Sequence, residues 1–282
     1  MEIKTPKLAS SRENCMKQDF SITGEKGIKN TSTPLNSTLS REWFGEWFDS
    51  PYYHILYKNR NFEEASAFVN KLAKHLQLNS SHSILDLACG KGRHAIHLNQ
   101  MGLDVIGIDL SSENIKAANA FSNPRLKFFQ HDMRQAFRTE YFDYILNMFT
   151  SFGYFEKEEE NQKAISVAAE GLKKEGKLII DFLNPDFVRD QMIEKEKKVI
   201  EGITFHITKE IDLDNFILKT IKFNDRGQNF RFQEKVKAIS QDKFISYFEK
   251  AGLKLEALFG DYQLGPFNPN SSERMIFIAK KP

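Results

Sequence analysis

Two acids and two glycines carry the clearest chemistry in this chain. Asp86 stands in the short apolar run Ser83–Leu87, and Ala88-Cys89-Gly90-Lys91-Gly92 follows it before a helix opens near Arg93. That order describes a buried parallel strand feeding a turn whose backbone can press against a ligand. Gly90 and Gly92 permit close approach, and the next helix begins with unpaired N–H groups aimed at the loop. Asp109 ends a second apolar run about twenty residues further on, where an acid accepts both hydroxyls of a ribose; helix capping is the competing role. The loop alone suits any nucleotide-like cofactor, and Gly90-Lys91-Gly92-Arg93-His94-Ala95 also fits the G-x-G-x-x-G/A pattern of dinucleotide-binding proteins.

The elements that must position these residues alternate strand and helix. Strands are expected at Ser83–Leu87, Asp104–Ile108, Leu126–Gln130, Phe142–Met148 and Lys177–Phe182, with helices from about Arg93 to Met101, after the Ser111 cap, and from about Lys157 to Lys173. This succession predicts an α/β fold, a doubly wound Rossmann-like sheet that binds ligands at its strand C-termini. After Pro185 the period changes. Val199–Ile211, Asn215–Phe223 and Asn229–Ile239 read as antiparallel strands, with Asn224-Asp225-Arg226-Gly227 as a hairpin turn. Residues 186–239 are therefore expected to form an inserted antiparallel β subdomain. Ser240 caps a further helix, and Leu253–Phe259 and Met275–Ala279 complete seven strands. The link between the last two contains Gly265, Pro266 and Pro269 and cannot form a useful crossover helix, so the final strand must run antiparallel.

The main domain is expected over residues 40–185 and 240–282, preceded by a polar, flexible tail over residues 1–39. An aromatic cluster follows that tail: Trp43, Phe44, Trp47, Phe48, Tyr52, Tyr53 and Tyr57. Asn61 and Glu64 suit a capping box for a helix that buries Ala65, Phe68, Val69, Leu72 and Leu76. With 40 Lys and Arg against 38 Asp and Glu, the net charge of +2 provides no general attraction for nucleic acid or an anionic membrane. Cys15 and Cys89 are too few for a disulfide framework. No apolar run approaches a membrane span, and the N-terminus has no signal-peptide core. A cytoplasmic protein is expected, with no membrane partner.

Four motifs in order carry a resemblance to the class I S-adenosylmethionine-dependent methyltransferases. They are Leu85-Asp86-Leu87-Ala88-Cys89-Gly90-Lys91-Gly92-Arg93-His94, Val105-Ile106-Gly107-Ile108-Asp109-Leu110-Ser111, Gln130-His131-Asp132-Met133-Arg134, and Phe142–Tyr154. The resemblance covers about Tyr52 to Lys281. The chain is most similar to bacterial small-molecule methyltransferases, including sugar-amine N-methyltransferases. It implies S-adenosyl-L-methionine as cofactor and S-adenosyl-L-homocysteine as product. It places Asp86 near the methionine end, with the backbones of Ala88 and Gly90 on the ammonium group and Cys89 between them. The family usually has Gly where Ala88 stands, and Ala is expected there with a negative φ. Asp109 is placed on the ribose and Asp132 on the adenine amino group. The Met133 N–H is set against the adenine ring, Leu110 and Met133 flank it, and Asn147 and Met148 face the sulfonium region. Asp132 as a plain turn residue and Asn147 as a strand end bonded to its own backbone are the other roles these residues suit.

Tyr53 and Tyr57 resemble tyrosines that close over the cofactor in similar enzymes; core packing of the cluster is the alternative. Transfer by in-line displacement needs proximity and alignment. A hydroxyl acceptor also wants a base, whereas a neutral amine does not. No Asp/His dyad follows the fourth strand, and Tyr154 is the nearest titratable candidate for a catalytic role. The expected function is methyl transfer to a small-molecule acceptor, with an amine favoured. RNA- or protein-directed methylation, an NAD(P)-binding protein, and a cofactor-binding protein without catalysis are the competing readings. His94 and His97 share a helix face without a third ligand, so no metal site is expected. No nucleic-acid partner is expected, and a homodimer through the β insertion is kept open.

Overall fold

The computed structural model of the chain describes Trp47, Phe48, residues 50–58 and residues 62–282. The expected tail, Trp43, Phe44 and the Asn61 cap lie outside the described residues, as do the side chains of Glu64 and Ala65.

Helix α1 (Pro51–Leu56) starts on Ser50, whose Oγ accepts the Tyr52 N–H at 3.2 Å. Helix α2 (Phe62–His75) buries Phe68, Val69 and Leu72, with Leu76 just beyond it. The alternating region then runs β1 (Ser83–Leu87), α3 (Arg93–Gln100), β2 (Asp104–Asp109), α4 (Ser112–Ala118), β3 (Leu126–Gln130), β4 (Phe142–Asn147), α5 (Glu158–Gly171) and β5 (Leu172–Leu183). Ser111 caps α4 as expected, accepting the Asn114 N–H at 3.0 Å. Helix α6 (Pro185–Gln191) leads into β6 (Lys195–Ile200), β7 (Ile203–Ile211), β8 (Phe216–Asp225) and β9 (Gln228–Lys237). Helix α7 (Gln241–Lys250) is capped by Ser240 and followed by β10 (Lys254–Phe259) and β11 (Arg274–Lys280).

The main sheet has the order β10–β11–β5–β4–β1–β2–β3. Strands β1 to β5 pair in parallel, and β11 lies antiparallel between β10 and β5. The reversed last strand follows from the helix-free link before it, as expected. Successive residues of each strand feed opposite cores. Leu85, Ile106 and Ile145 pack with α5 and α7, while Ile84, Val105 and Leu146 pack with α2, α3 and α4. This two-sided burial leaves the strand C-termini as the open edge.

The second sheet has four strands, in the order β6–β7–β8–β9, where the sequence pattern suggests three. The expected Val199–Ile211 strand is broken by Glu201 and Gly202, both with positive φ (51° and 79°), which form a two-residue hairpin turn. Trp47 and Leu56 pack on one face of this sheet with Phe205, Ile207, Ile221 and Phe223. The fifth strand starts at Leu172 rather than Lys177 and passes through an irregular register before pairing regularly with β4. Among the described residues no helix is long and apolar enough to cross a membrane.

Candidate active site

The turn after β1 is tied to β2 on both sides. The Cys89 N–H donates to the Ile108 carbonyl at 2.9 Å, and the Gly90 N–H donates to Oδ2 of Asp109 at 2.8 Å. The other carboxylate oxygen of Asp109 accepts the Ser111 N–H at 2.9 Å. One acid therefore aligns the glycine turn with the start of α4, and it remains partly exposed at the sheet edge.

The turn is left-handed at Ala88 (φ 63°), Gly90 (φ 55°) and Gly92 (φ 81°). The negative φ expected for Ala88 is thus overturned. An alanine there costs of order 1 kcal/mol, and the bonds on either side hold it in place. The glycines serve different ends. A Cβ on Gly92 would stand 2.6 Å from the Phe128 ring, and one on Gly107 would stand 2.5 Å from that ring and 2.9 Å from Cys89 Sγ. A Cβ on Gly90 would meet nothing within 4 Å among the described residues. Gly92 and Gly107 therefore answer to packing, whereas Gly90 faces an open cradle.

Asp86 is 1 % exposed and accepts the Ala95 N–H at 3.1 Å. Burial, with Asp109 adding to it, pushes its carboxyl up to about 7 against the opposing pull of the Ala95 bond and Arg93. Cys89 is buried, and burial followed by the nearby Asp86 and Asp109 charges drives its thiol far above the ordinary range, so it is no nucleophile at neutral pH.

Asn147 ends β4 beside β1 and donates from Nδ2 to the Leu87 carbonyl at 3.0 Å. Its Oδ1 is buried with no hydrogen-bond partner among the described residues. A buried acceptor of this kind calls for a donor, and with the open cradle at Gly90 it fits a polar ligand at the strand ends. Met148 packs into the core beneath α2 and α3. Leu110 is 43 % exposed at the end of β2. The Met133 side chain packs toward the opposite core and lines a narrow cavity with Leu87, Ile108 and Phe137.

Asp132 is already engaged. Arg134 reaches it through Nη2 at 2.7 Å and Nε at 3.0 Å, and Nη1 of the same guanidinium bonds Glu160 at 2.7 Å. Burial raises the Asp132 carboxyl, but the Arg134 bonds outweigh this and hold it below the usual carboxylate range.

The tyrosines expected near the cofactor sit against the second sheet. Tyr57 bonds Glu234 and Lys219, and Trp47 Nε1 donates to the same Glu234 at 2.8 Å. Tyr53 packs edge-on to Trp47 and Phe48, and Phe48 reaches Tyr154 with ring centroids 5.6 Å apart. The Tyr154 hydroxyl donates to the Thr150 carbonyl at 2.7 Å.

The turn after β4 brings in residues outside the expected set. Phe149 stacks on His94 with centroids 4.9 Å apart and planes 4° apart. Burial, then Arg93 and His97, push the His94 imidazole down to about 3, so it is neutral at ordinary pH. Asp181, fully buried in β5, accepts the Phe149 N–H at 2.8 Å and pairs with Arg274 at 2.6 Å. An acid inside the apolar run Leu178-Ile179-Ile180-Asp181-Phe182 is the sequence signal for this pair, since a buried charge requires a partner.

A family model described as a methyltransferase domain matches residues 84–176. A glycine/sarcosine N-methyltransferase of Aphanothece halophytica is 32% identical over 229 residues, covering 79% of this chain and 83% of that protein. The dTDP-3-amino-3,4,6-trideoxy-alpha-D-glucopyranose N,N-dimethyltransferase of Streptomyces venezuelae is 28% identical over 185 residues, covering 63% of this chain and 78% of its own length. The crystal structure of a S-adenosylmethionine-dependent methyltransferase from Clostridium acetobutylicum has the same fold, with a TM-score of 0.67 at 20% identity, covering 81% of this chain and 95% of that one.

Proposed function

The chain belongs to the class I S-adenosylmethionine-dependent methyltransferases, and from that premise we propose that it methylates an amine nitrogen of a small molecule. S-adenosyl-L-methionine is its cofactor, and a dinucleotide role is set aside. When bound, the cofactor supplies a methyl group already activated on a sulfonium.

The residues present fit it. Asp109, partly exposed at the end of β2, takes the ribose hydroxyls. The Gly90 cradle and the Ala88 backbone receive the methionine end. Asp86 lends its negative charge once ionised, and the buried Asn147 Oδ1 accepts a hydrogen bond that no group among the described residues provides. Leu110 offers an apolar surface for the adenine, and Asp132 keeps spare lone pairs on the side away from Arg134. In this reading Met148, Tyr53 and Tyr57 contribute as packing behind the site.

One observation favours nitrogen as the acceptor atom. Three titratable side chains beside the turn after β4 are committed or unsuited to take a proton. Tyr154 donates to Thr150, Asp181 is paired with Arg274, and His94 is held neutral with a strongly depressed basicity. A hydroxyl acceptor needs a base at the moment of transfer; a neutral amine loses its proton afterwards. The two relatives above, both named as N-methyltransferases, agree with this. Intact enzyme with radiolabelled cofactor should methylate primary or secondary amines in a panel of amines, alcohols and thiols. Labelling of alcohols or thiols alone overturns the proposal.

A second reading rests on the second sheet. Lys197, His206, Lys222 and Arg231 stand opposite one another across its four strands and are exposed, with no acid in the row. Lys222 and Arg231 are directly opposed cations, an unfavourable pairing unless an anion answers it. This favours an RNA acceptor, and salt-sensitive RNA binding accompanied by RNA labelling would support it.

A further inference from the structure

We propose that Asp181 and Arg274 form a positioning pair that holds the turn after β4 in the shape required for methyl transfer. The pair joins segments far apart in the chain. Asp181 lies near the end of β5, and Arg274 begins β11, which the antiparallel register lays directly against β5. The Arg274 guanidinium reaches Oδ1 of Asp181 through Nε at 2.8 Å and Nη2 at 2.6 Å. Its Nη2 also donates to Thr150 Oγ1 at 2.9 Å.

Asp181 makes three further contacts, two of them to the same turn and one to the link between β10 and β11. Its Oδ2 accepts the Phe149 N–H at 2.8 Å and the Tyr262 hydroxyl at 3.3 Å, and its main-chain carbonyl accepts the Thr150 N–H at 2.9 Å. Phe149 and Thr150 both have left-handed backbones, with φ 57° and 58°. Two successive non-glycine residues in that region persist only when their surroundings over-determine them. The bonds from Asp181 and Arg274 provide that determination.

The shape matters to the site because Phe149 links its two halves. Its ring stacks on His94 at the start of α3 and packs on Tyr262, with centroids 5.2 Å apart. The start of α3 beside the glycine turn and the turn after β4 are thus set against each other through one ring, and that ring is placed by the Asp181 carboxylate. A buried ion pair is a weak source of stability compared with apolar packing. Its presence here is better explained by the geometry it imposes than by folding energy.

The test uses Arg274→Lys, which keeps the charge but loses the fork, and Thr150→Val, which removes only the Oγ1 acceptor. Hydrogen exchange is read at Phe149 and Thr150, with Cys89 and Gly90 as internal controls. S-adenosylhomocysteine affinity is measured by calorimetry, and turnover on the best acceptor of the panel. We expect exchange at Phe149 and Thr150 to quicken at least about tenfold in Arg274→Lys and less in Thr150→Val. Protection at Cys89 and Gly90 and the product affinity should stay within about threefold. Misplacement by about 1 Å costs on the order of 10²-fold in rate, so kcat should fall by about 10- to 100-fold while the KM for cofactor changes little. Unchanged exchange at Phe149 and Thr150 in both variants overturns the proposal. So does an unchanged kcat per product-binding site despite quickened exchange. The inference rests on methyl transfer but not on nitrogen as acceptor: failure of the amine reading changes which panel member turns over and leaves exchange and calorimetry as they are.

Discussion

The Asp109 carboxylate accepts the Gly90 amide at 2.8 Å, so the acid at the end of β2 physically holds the glycine turn that follows β1. The same side chain accepts the Ser111 amide through its other oxygen. Asp109→Ala therefore removes two charge-assisted bonds, each worth about 1.5–3 kcal/mol, along with the proposed ribose contact. We expect S-adenosylhomocysteine affinity to fall at least about 30-fold. Thermal shifts read this directly: a ligand at 100 times its dissociation constant adds roughly 2.7 kcal/mol to the wild type. With affinity about 30-fold weaker, the same concentration should add only about 0.9 kcal/mol to the variant, and NAD(P) should stabilise neither protein. Equal shifts in both proteins would remove Asp109 from the site.

The glycines separate binding from packing. Gly90→Ala adds a Cβ that meets no atom of the described residues within 4 Å, at a φ of 55°. It should cost about 1 kcal/mol of stability through backbone strain while filling the cradle, so product affinity should drop by more than about tenfold. Gly107→Ala drives a Cβ to 2.5 Å from the Phe128 ring and should cost about 1–3 kcal/mol by overpacking. Denaturant melts and calorimetry on both variants test the contrast. Comparable affinity losses per unit of lost stability would show that Gly90 is another packing glycine.

How legible the site is in the sequence depends on how local its determinants are. The turns after β1 and β2 can be read because a buried strand, a small-residue turn and a terminal acid stand within one short segment. Four such segments in order also define the sheet, and the prolines and glycines before Arg274 require its reversed last strand. Other features have no local mark. Asp181 and Arg274 are 93 residues apart and meet only because β11 inserts between β5 and β10. The Glu201-Gly202 turn lacks the Asn-Gly or Asp-Gly signature, so the pattern reads as one strand where two occur. The left-handed Ala88 breaks a steric rule that holds for most alanines, and only its tertiary bonds explain it.

Asp86 should make stability depend on pH. Its carboxyl is raised in the fold from 3.8 to about 7, chiefly by burial. The folded state therefore holds a proton that the unfolded chain has released between these values. The resulting stabilisation is fully present below about pH 4 and is lost as pH rises through about 7. Asp86→Asn removes this dependence. Relative to wild type, the unliganded variant should gain roughly 1–3 kcal/mol between pH 5 and pH 8. Product affinity should move the other way, because the negative charge that Asp86 lends to the methionine end needs the ionised acid: wild-type affinity should strengthen through pH 7, and that of Asp86→Asn should stay flat. Parallel stability profiles for the two proteins would show that the buried acid does not titrate in this window.

Tyr154 supplies the sharpest test of how the proton leaves. Its hydroxyl donates to the Thr150 carbonyl at 2.7 Å, so its own proton is engaged with the turn. A phenol that keeps its proton at neutral pH is a poor base without an activating partner. Tyr154→Phe removes one hydrogen bond, worth about 1 kcal/mol, and preserves the edge-on contact of the ring with Phe48. With an amine acceptor, kcat should stay within about tenfold of wild type, and the rate should rise with pH only as the substrate amine loses its proton. If Tyr154 is instead the base, the loss should fall in the roughly 10²- to 10⁴-fold range of general base catalysis, and the alkaline rise should disappear with the hydroxyl. The pH–rate profiles of the two proteins on one substrate amine distinguish these outcomes, because the substrate's own ionisation is common to both.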